Sequence, residues 1–531
     1  MTTKELSSLR PVAGDFYRAD EGFCKLLKDL APPADWDRLE DVLPAFSIKV
    51  SGSWNALAEE AANDYQGPKI ESFDRVGNPI DRIWLPPPVR QLRREVVEAG
   101  IFDNRSQLEQ FAKISLLAHL GEASVTCPLS CTEGLVRSIE AVGSDFLKNT
   151  YLPKIKSAET PLAGAQFVTE MDMGSDVGAL VTQAVAIGEG KWKLTGEKWF
   201  CSAIDEYFLI AARPEGAPKG TDGVAIFMVP RTIDGKLNDL RIKRLKSKLG
   251  TRELPTAEID LNGAVGFNIG PIEQGFKSLM NYVLNTSRLM NSANACGFMA
   301  RAYLEADNYS KQRSVFGRKM VDYPLVRESL TKIQAILTAR RSLFFHAVSE
   351  LDRDPQKNVS SPESLWQRFL TNLCKYRTAV GATECTREAI LLFGGNGTIE
   401  TFSILPRLYR DSMVIETWEG THNTLSLQIC RDALRFPFQQ FLEDRITKRL
   451  QEFRNAGLTS VARWIEVEWR ETMPAFQYLS DIAWVSHNAR RFVDHLGVLL
   501  EIVYFPKEDP LLLESYLGDA TTSLREFVAV I

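Results

Sequence analysis

The chain is poor in histidine, in long apolar runs and in net charge, and each shortage removes a class of function. Only five histidines occur in 531 residues (His119, His346, His422, His487 and His495), none of them at H-x3-H spacing. A zinc centre is therefore poorly supported, and no metal ligands are expected. The eight cysteines contain no CxxC and no ladder of short spacings, which reads as reduced, mostly buried thiols. The longest mostly apolar runs, Leu343 to Val348 and Val498 to Phe505, fall far short of the roughly 20 residues that a membrane span needs. Against 68 Asp and Glu stand 63 Lys and Arg, a net of −5, so the mean field is too weak for a polybasic protein that binds phosphate chains by counterion release. Residues 1–30 mix acids and bases and hold no apolar core of signal-peptide length, so a cytoplasmic location is expected. Chemistry here must come from carboxylates, backbone amides or a borrowed cofactor.

What the chain does contain changes texture along its length. Residues 1–85 hold many Gly, Pro, Asn and Asp with few sustained periods, and read as a less regular N-terminal cap. Pro86 to Pro88 then stop any helix and enforce an extended approach. Residues 86–165 carry apolar residues at three- and four-residue spacing, as in LEQFAKISLLAHL, and read as a helical domain. Over 166–272 the period switches to two, in short runs such as KWKLTGEKWFCSA and GVAIFMVPR cut by Gly, Pro and Asp. Val224, Ile226 and Met228 alternate with Ala225, Phe227 and Val229, apolar on both faces, so that strand is expected to be fully buried. Long amphipathic patterns return over 273–436 as bundle helices. Residues 437–531 read as an additional helical domain anchored by Trp464, Trp469, Trp484 and Phe492. The expected class is mainly α with an inserted β domain.

Five short segments carry candidate chemistry. Thr169 to Asp176, TEMDMGSD, opens the β domain with Gly174 and Ser175 flanked by acids, where open amides and hydroxyls suit ring carbonyls or a phosphate; alone it is equally a polar turn. GEKWFCS, Gly196 to Ser202, sets two aromatics in a strand, expected on opposite faces, so that one packs the core and the other is able to stack on something flat. RSVFG, Arg313 to Gly317, ends a long helix within a basic run; its arginine suits a pyrophosphate and equally a helix C-terminus. FGGNG, Phe393 to Gly397, has three glycines where a helix cap needs one. In WEGTHN, Glu419 follows a Trp, where desolvation raises a carboxylate pKa towards that of a general base. A solvated glutamate satisfied by a helix N-terminus fits the same spacing.

Taken together and in this order, the five segments resemble the acyl-CoA dehydrogenase flavoproteins over about residues 90–436. The resemblance implies an N-terminal helical domain, a middle β-barrel, a C-terminal four-helix bundle and, here, a helical C-terminal extension. It implies FAD as cofactor. Val168, Thr169, Gly174 and Ser175 are similar to the residues that hold the flavin ring and pyrophosphate, and Phe200 with Ser202 to the pair that stacks on the ring and bonds its edge. Arg313 and Phe316 are similar to a pair that reaches the ADP half of FAD in a neighbouring subunit, and Gly394 and Gly395 to the loop beneath it. Thr421 and Asn423 match positions that touch FAD. Glu419 matches the base that removes the α-proton of an acyl thioester while hydride leaves the β-carbon for flavin N5, and Arg288 matches an arginine beside that base.

The departures from the family pattern are specific. Met171, Asp172 and Met173 stand where ordinary members carry a Pro-containing turn, and Leu391 stands where Gln is usual. The long N-terminal cap, the extension after Phe436 and RLKSKLG, Arg244 to Gly250, are similar to the AidB-like, adaptive-response branch. That branch carries a second expectation, a flavoprotein of the alkylation response with nucleic-acid association and little dehydrogenase turnover. Residues 441–531 hold 10 Lys and Arg against 14 Asp and Glu, a net of −4, which disfavours duplex binding. The expected partners are an acyl-CoA or other acyl-thioester substrate, an electron-transfer flavoprotein and further copies of the chain, a homotetramer first, in fatty acid metabolism.

Overall fold

The structure is a computed structural model that describes residues 12, 14–63, 67–352, 361–436 and 438–518; residues 519–531 of the expected extension lie outside the described residues. The chain forms two compact units. One comprises Ser53–Asn104 and Glu122–Met290, the other Met1–Gly52, Arg105–Gly121 and Asn291–Ile531.

The first unit is built round a closed ring of strands. Tyr207–Pro214 pairs with Ala225–Pro230, which pairs with Thr256–Asn268. That long strand pairs with Lys191–Ser202, which pairs with Gln183–Gly188, and Gln183 returns to Arg213 on the starting strand. Closure removes the edges that an open sheet would expose, and two further strands, Gly164–Phe167 and Leu240–Leu245, extend the seven-stranded sheet. Every residue of Ala225–Pro230 is buried, as the two-faced apolar pattern predicts. Alternate residues Leu209, Ala211, Ile226 and Met228 share a core with Leu135, Val136 and Ile139 of the helix Thr126–Val142. The three prolines behave as their fixed φ dictates. The strand Pro79–Trp84 runs up to them, and the helix Pro87–Glu98 starts within them, where missing amide donors cost nothing.

In the second unit the long helices are Pro324–Asp352, Pro362–Phe393 and the larger part of Asn285–Gln312, joined by Leu405–Thr417 and His422–Arg435. The N-terminal residues are more regular than their composition suggests, with helices Glu21–Leu30 and Pro33–Lys49. The reason is capping: an Asp20 carboxylate oxygen accepts from the Phe23 amide at 2.9 Å and also from Arg341 of the bundle at 3.0 Å. Beyond Phe436 lie Phe438–Asn455, Thr459–Thr472 and Ile482–Val503. Of the four anchors expected there, Phe492 alone is fully buried; the three indoles are half-buried. Trp484 and Phe476 meet the Phe492 ring edge-on at 6.2 and 5.2 Å, and Trp469 leans on Phe476 at 6.2 Å, so Phe492 is the centre of this ring cluster and Trp469 reaches it through Phe476.

At Gly297 an added Cβ would lie 2.2 Å from the Ser115 carbonyl oxygen and 2.6 Å from the Ala118 methyl, so the helices leave no room for a side chain there. Gly297→Ala is expected to cost about 1–3 kcal/mol by overpacking, read as a lower urea midpoint with an unchanged m-value.

Candidate functional site

In the barrel unit the segments TEMDMGSD and GEKWFCS are brought together by a buried ion pair that the sequence reading did not contain. Lys198 Nζ, on the strand Lys191–Ser202, donates to Glu170 Oε1 at 2.7 Å and to the Val168 carbonyl at 3.1 Å. Glu170 also accepts from the amides of Val181 at 2.7 Å and Thr182 at 3.0 Å. Burial works against its charge, but the Lys198 ammonium and these donors outweigh burial and hold the carboxyl below its ordinary range. The Trp199 amide adds a bond to the Thr169 carbonyl at 2.9 Å. The main chain of Val168 and Thr169 is thus pinned from behind, and Gly174 and Ser175 follow it as exposed residues. No atom lies within 4 Å of a Cβ built at Gly174, so a ligand is free to approach its backbone closely.

Trp199 and Phe200 do not alternate across the sheet as expected. Cys201 is opposite Ala257 and Lys198 is opposite Ile259, so Trp199 and Phe200 together face the single residue Glu258. This is a β-bulge, and it re-aims both rings. Lys246 Nζ lies 3.3 Å from the Trp199 ring centre and 4.9 Å from that of Phe200, while bonding Glu258 at 2.7 Å. Phe200 keeps 53% of its surface exposed, an unusual state for a large apolar ring on a strand and one that suits stacking. Ser202 shares a hydrogen bond with Thr256 at 3.0 Å, and Lys248 donates to Thr256, Thr251 and the Leu254 carbonyl at 2.9 to 3.0 Å. Arg288 is buried, and its neighbour Ser287 accepts from Gln166 at 2.9 Å, two residues before Val168.

In the bundle unit RSVFG forms a hairpin, Ser314–Val315 against Arg318–Lys319, with Phe316 and Gly317 both at positive φ. Positive φ at both central residues is the primed turn that matches strand twist, and it strains a bulky residue such as Phe316. Phe316 stands 92% exposed at the tip. Lys319 Nζ caps the preceding helix by donating to the Gln312 carbonyl at 2.7 Å, so the helix end does not require Arg313 for that purpose. FGGNG lies beside this hairpin through Tyr309. The Tyr309 ring stacks on Phe393 at 4.0 Å, its hydroxyl accepts from Asn396 at 3.2 Å, and its carbonyl accepts from the Arg313 amide at 2.8 Å. At Gly394 and Gly395 no atom lies within 4 Å of a built Cβ.

Glu419 sits in the turn between Leu405–Thr417 and His422–Arg435, at φ +58. The left-handed region costs a non-glycine residue of order 1 kcal/mol or more, and such strain clusters at functional sites. Buried Lys375 imposes the turn by donating to the carbonyls of Glu416 at 3.0 Å and Gly420 at 2.8 Å. His422 Nε2 meets Glu416 Oε2 at 2.7 Å, closing the same turn through side chains. Trp418 donates to Asn291 at 2.9 Å, and Asn291 donates to the Ile415 carbonyl at 3.1 Å. Thr421 stands at the N-cap position of the next helix without a side-chain capping bond, its hydroxyl 3.1 Å from that of Thr424, and Asn423 is exposed on the first turn. A cleft of about 900 Å³ in this unit, lined by Asp20, Lys25, Arg341 and Tyr504 among others, contains none of the candidate residues.

Comparison with known proteins gives the family. The C-terminal domain of acyl-CoA dehydrogenase matches residues 273–434, and its middle domain matches residues 165–264. Acyl-CoA dehydrogenase family member 11 of Caenorhabditis elegans is 30% identical over 450 residues, 81% of this chain and 72% of that protein. The chain belongs to the acyl-CoA dehydrogenase family. AidB-like proteins are among its relatives: the putative acyl-CoA dehydrogenase AidB of Escherichia coli K12 is 27% identical over 472 residues, 82% of this chain and 84% of that protein. The crystal structure of C. elegans ACDH-11 in complex with C11-CoA matches with a TM-score of 0.84 at 25% identity, covering 99% of this chain and 93% of that one. The chain is therefore an oxidoreductase of a family that uses FAD. Its residues fit that cofactor: open glycine backbone at 174, 394 and 395, and an exposed ring at Phe200 on a bulged strand. Among the described residues no helix is long and apolar enough to cross a membrane.

Because Glu170 is held below its ordinary range, the stability it contributes is present above that range and lost as pH falls through the folded-state value. Lys198→Met is expected to cost about 3–5 kcal/mol at neutral pH. Urea unfolding at stepped pH should show this difference shrinking in acid, where Glu170 is protonated with or without its partner.

Proposed function

We propose that the protein is an FAD-dependent acyl-CoA dehydrogenase in which Glu419 takes the α-proton of an acyl thioester. The observation that carries this reading is the turn at Glu419: a carboxylate held in the left-handed region by a buried lysine that grips the carbonyls on either side. Such rigidity is what a base needs to meet one C–H bond in one orientation. Asn291 fixes the indole of the adjacent Trp418 by accepting its N–H at 2.9 Å, which braces the turn from a second side. When bound, FAD supplies the acceptor for the hydride that leaves the β-carbon, so proton and hydride together account for the two hydrogens removed and for the new double bond.

The binding roles follow the same division. Thr169, Ser175 and Ser202 offer hydroxyls, and Val168 and Gly174 offer backbone, to the ring and pyrophosphate. Phe200 stacks. Arg313 with Phe316, and Gly394 with Gly395, serve the ADP half, and Thr421 and Asn423 complete the contacts near the base. Arg288, buried on its helix, is assigned to orient substrate near the base. In this reading the enzyme is a cytoplasmic homotetramer of fatty acid metabolism that passes electrons to an electron-transfer flavoprotein. The C11-CoA held by ACDH-11 supports an acyl-CoA as the substrate class. Nucleic-acid association is not part of this reading, since residues 441–531 carry more acids than bases.

Anaerobic titration with acyl-CoAs of graded length is expected to bleach the flavin band of the purified protein. Glu419→Gln should retain flavin and slow bleaching by at least about 10²-fold, the usual scale for a lost general base. Bleaching at the wild-type rate in that variant would remove Glu419 from the role.

A further inference from the structure

The matched family domains end at residue 434, yet the helix Ile482–Val503 beyond them is fastened to the bundle at the helix that shapes the Glu419 turn. The fastening is exact in register. Asp494, Gly497 and Glu501 lie at i, i+3 and i+7, on one helix face. Glu501, fully buried, receives Arg377 in a two-pronged pair at 2.8 and 3.0 Å, with the Tyr516 hydroxyl as a further donor. At Gly497 an added Cβ would lie 2.7 Å from the Arg377 side chain, so the missing side chain makes room for the Arg377 stem. Asp494 accepts from Arg377 at 3.1 Å and from the Tyr376 hydroxyl at 2.7 Å, and Arg490 donates to the same hydroxyl at 3.1 Å.

Lys375, Tyr376 and Arg377 are consecutive on the helix Pro362–Phe393, so their side chains fan out at about 100° intervals. Lys375 grips the Glu416 and Gly420 carbonyls, Arg377 locks into Glu501, and Tyr376 bridges the two directions. The Tyr376 ring packs on the His422 ring with centres 4.8 Å apart. His422 in turn bonds Glu416 at 2.7 Å, and Glu416 also accepts from Thr383. Burial and the Asp494 charge push the Tyr376 phenol up to about 12, so it stays a hydrogen-bond donor throughout the working pH range.

We propose that Asp494 is a positioning residue for Glu419: it fixes the Tyr376 phenol, which steadies the His422 ring so that His422 and Glu416 close the turn carrying the base. The segment after residue 434 thereby takes part in the reaction without touching substrate. This inference rests on Glu419 being the base, and two arms keep the two claims apart. Hydrogen exchange of the 415–422 amides in the holoenzyme reports the brace whether or not turnover occurs, whereas Glu419→Gln reports the base.

Tyr376→Phe removes only the hydroxyl and keeps the ring on His422; Asp494→Ala removes the acceptor. Both are expected to speed exchange over 415–422 several-fold and to lower kcat about tenfold, with KM for the acyl-CoA within twofold and flavin content unchanged, the pattern of a misplaced base. Asp494→Asn, which keeps an acceptor for the phenol, is expected to recover most of the lost kcat. Unchanged exchange and kcat in both variants would overturn the proposal. So would a loss spread over exchange across the whole bundle, KM and flavin content together, or a failure of Asp494→Asn to recover more than Asp494→Ala.

Discussion

The arrangement of the bundle unit depends on one buried ammonium. Lys375 lies on the longest helix, is fully shielded from solvent, and donates to two backbone carbonyls four residues apart across the Glu419 turn. A buried amine without acceptors would cost several kcal/mol, so the chain must bring carbonyls to it, and the turn is the place where two carbonyls converge. That convergence forces Glu419 and Gly420 to positive φ. Glycine takes that conformation freely; glutamate does not, and it stays because the lysine holds the flanking peptides.

The barrel unit uses the same device with a different outcome. Lys198 is as deeply buried, and it too is satisfied partly by backbone, the Val168 carbonyl, and partly by a carboxylate, Glu170. Here the charge pair sits behind the loop from Thr169 to Ser175, which is held at Val168, Thr169 and Glu170 while Gly174 and Ser175 stay exposed. Lys248 repeats the pattern with the Leu254 carbonyl and two threonine hydroxyls, one of which reaches Ser202. Three lysines that composition counts as solvated charge are in fact internal struts, each adjacent to a segment with candidate chemistry.

This explains how much could be read from sequence. The strand and helix textures, the buried strand Ala225–Pro230, the helix start at the prolines and the contiguous motif segments follow from periodicity and backbone chemistry, which are local. The resemblance located the candidate site because five short segments keep their order. The struts were not legible, because a lysine within a strand or helix has the same local pattern whether its ammonium meets water or a carbonyl from another element. Nor was the bulge at Trp199 and Phe200, since an extra residue is defined only against the partner strand, whose register no alternation count supplies. The tryptophans misled for a related reason: size marks them as anchors, but how deeply a large ring is covered depends on which other elements pack over it, which local pattern does not supply.

The acidic count of the extension takes on a different meaning once its partners are known. Glu501 and Asp494 neutralise Arg377 of the bundle, and Glu501 lies 3.7 Å from Arg340 as well. Four of its bases are engaged as well: Arg445 with Glu350 and Arg490 with Tyr376 of the bundle, and Arg449 with Glu452 and the Phe505 carbonyl and Arg454 with Glu466 within the segment itself. An acid excess is what a helix needs in order to seat beside buried arginines, where each unpaired charge would be costly. Arg445 and Arg490 are bases that a nucleic-acid surface would have to do without, since the fold employs them against Glu350 and Tyr376 of the bundle.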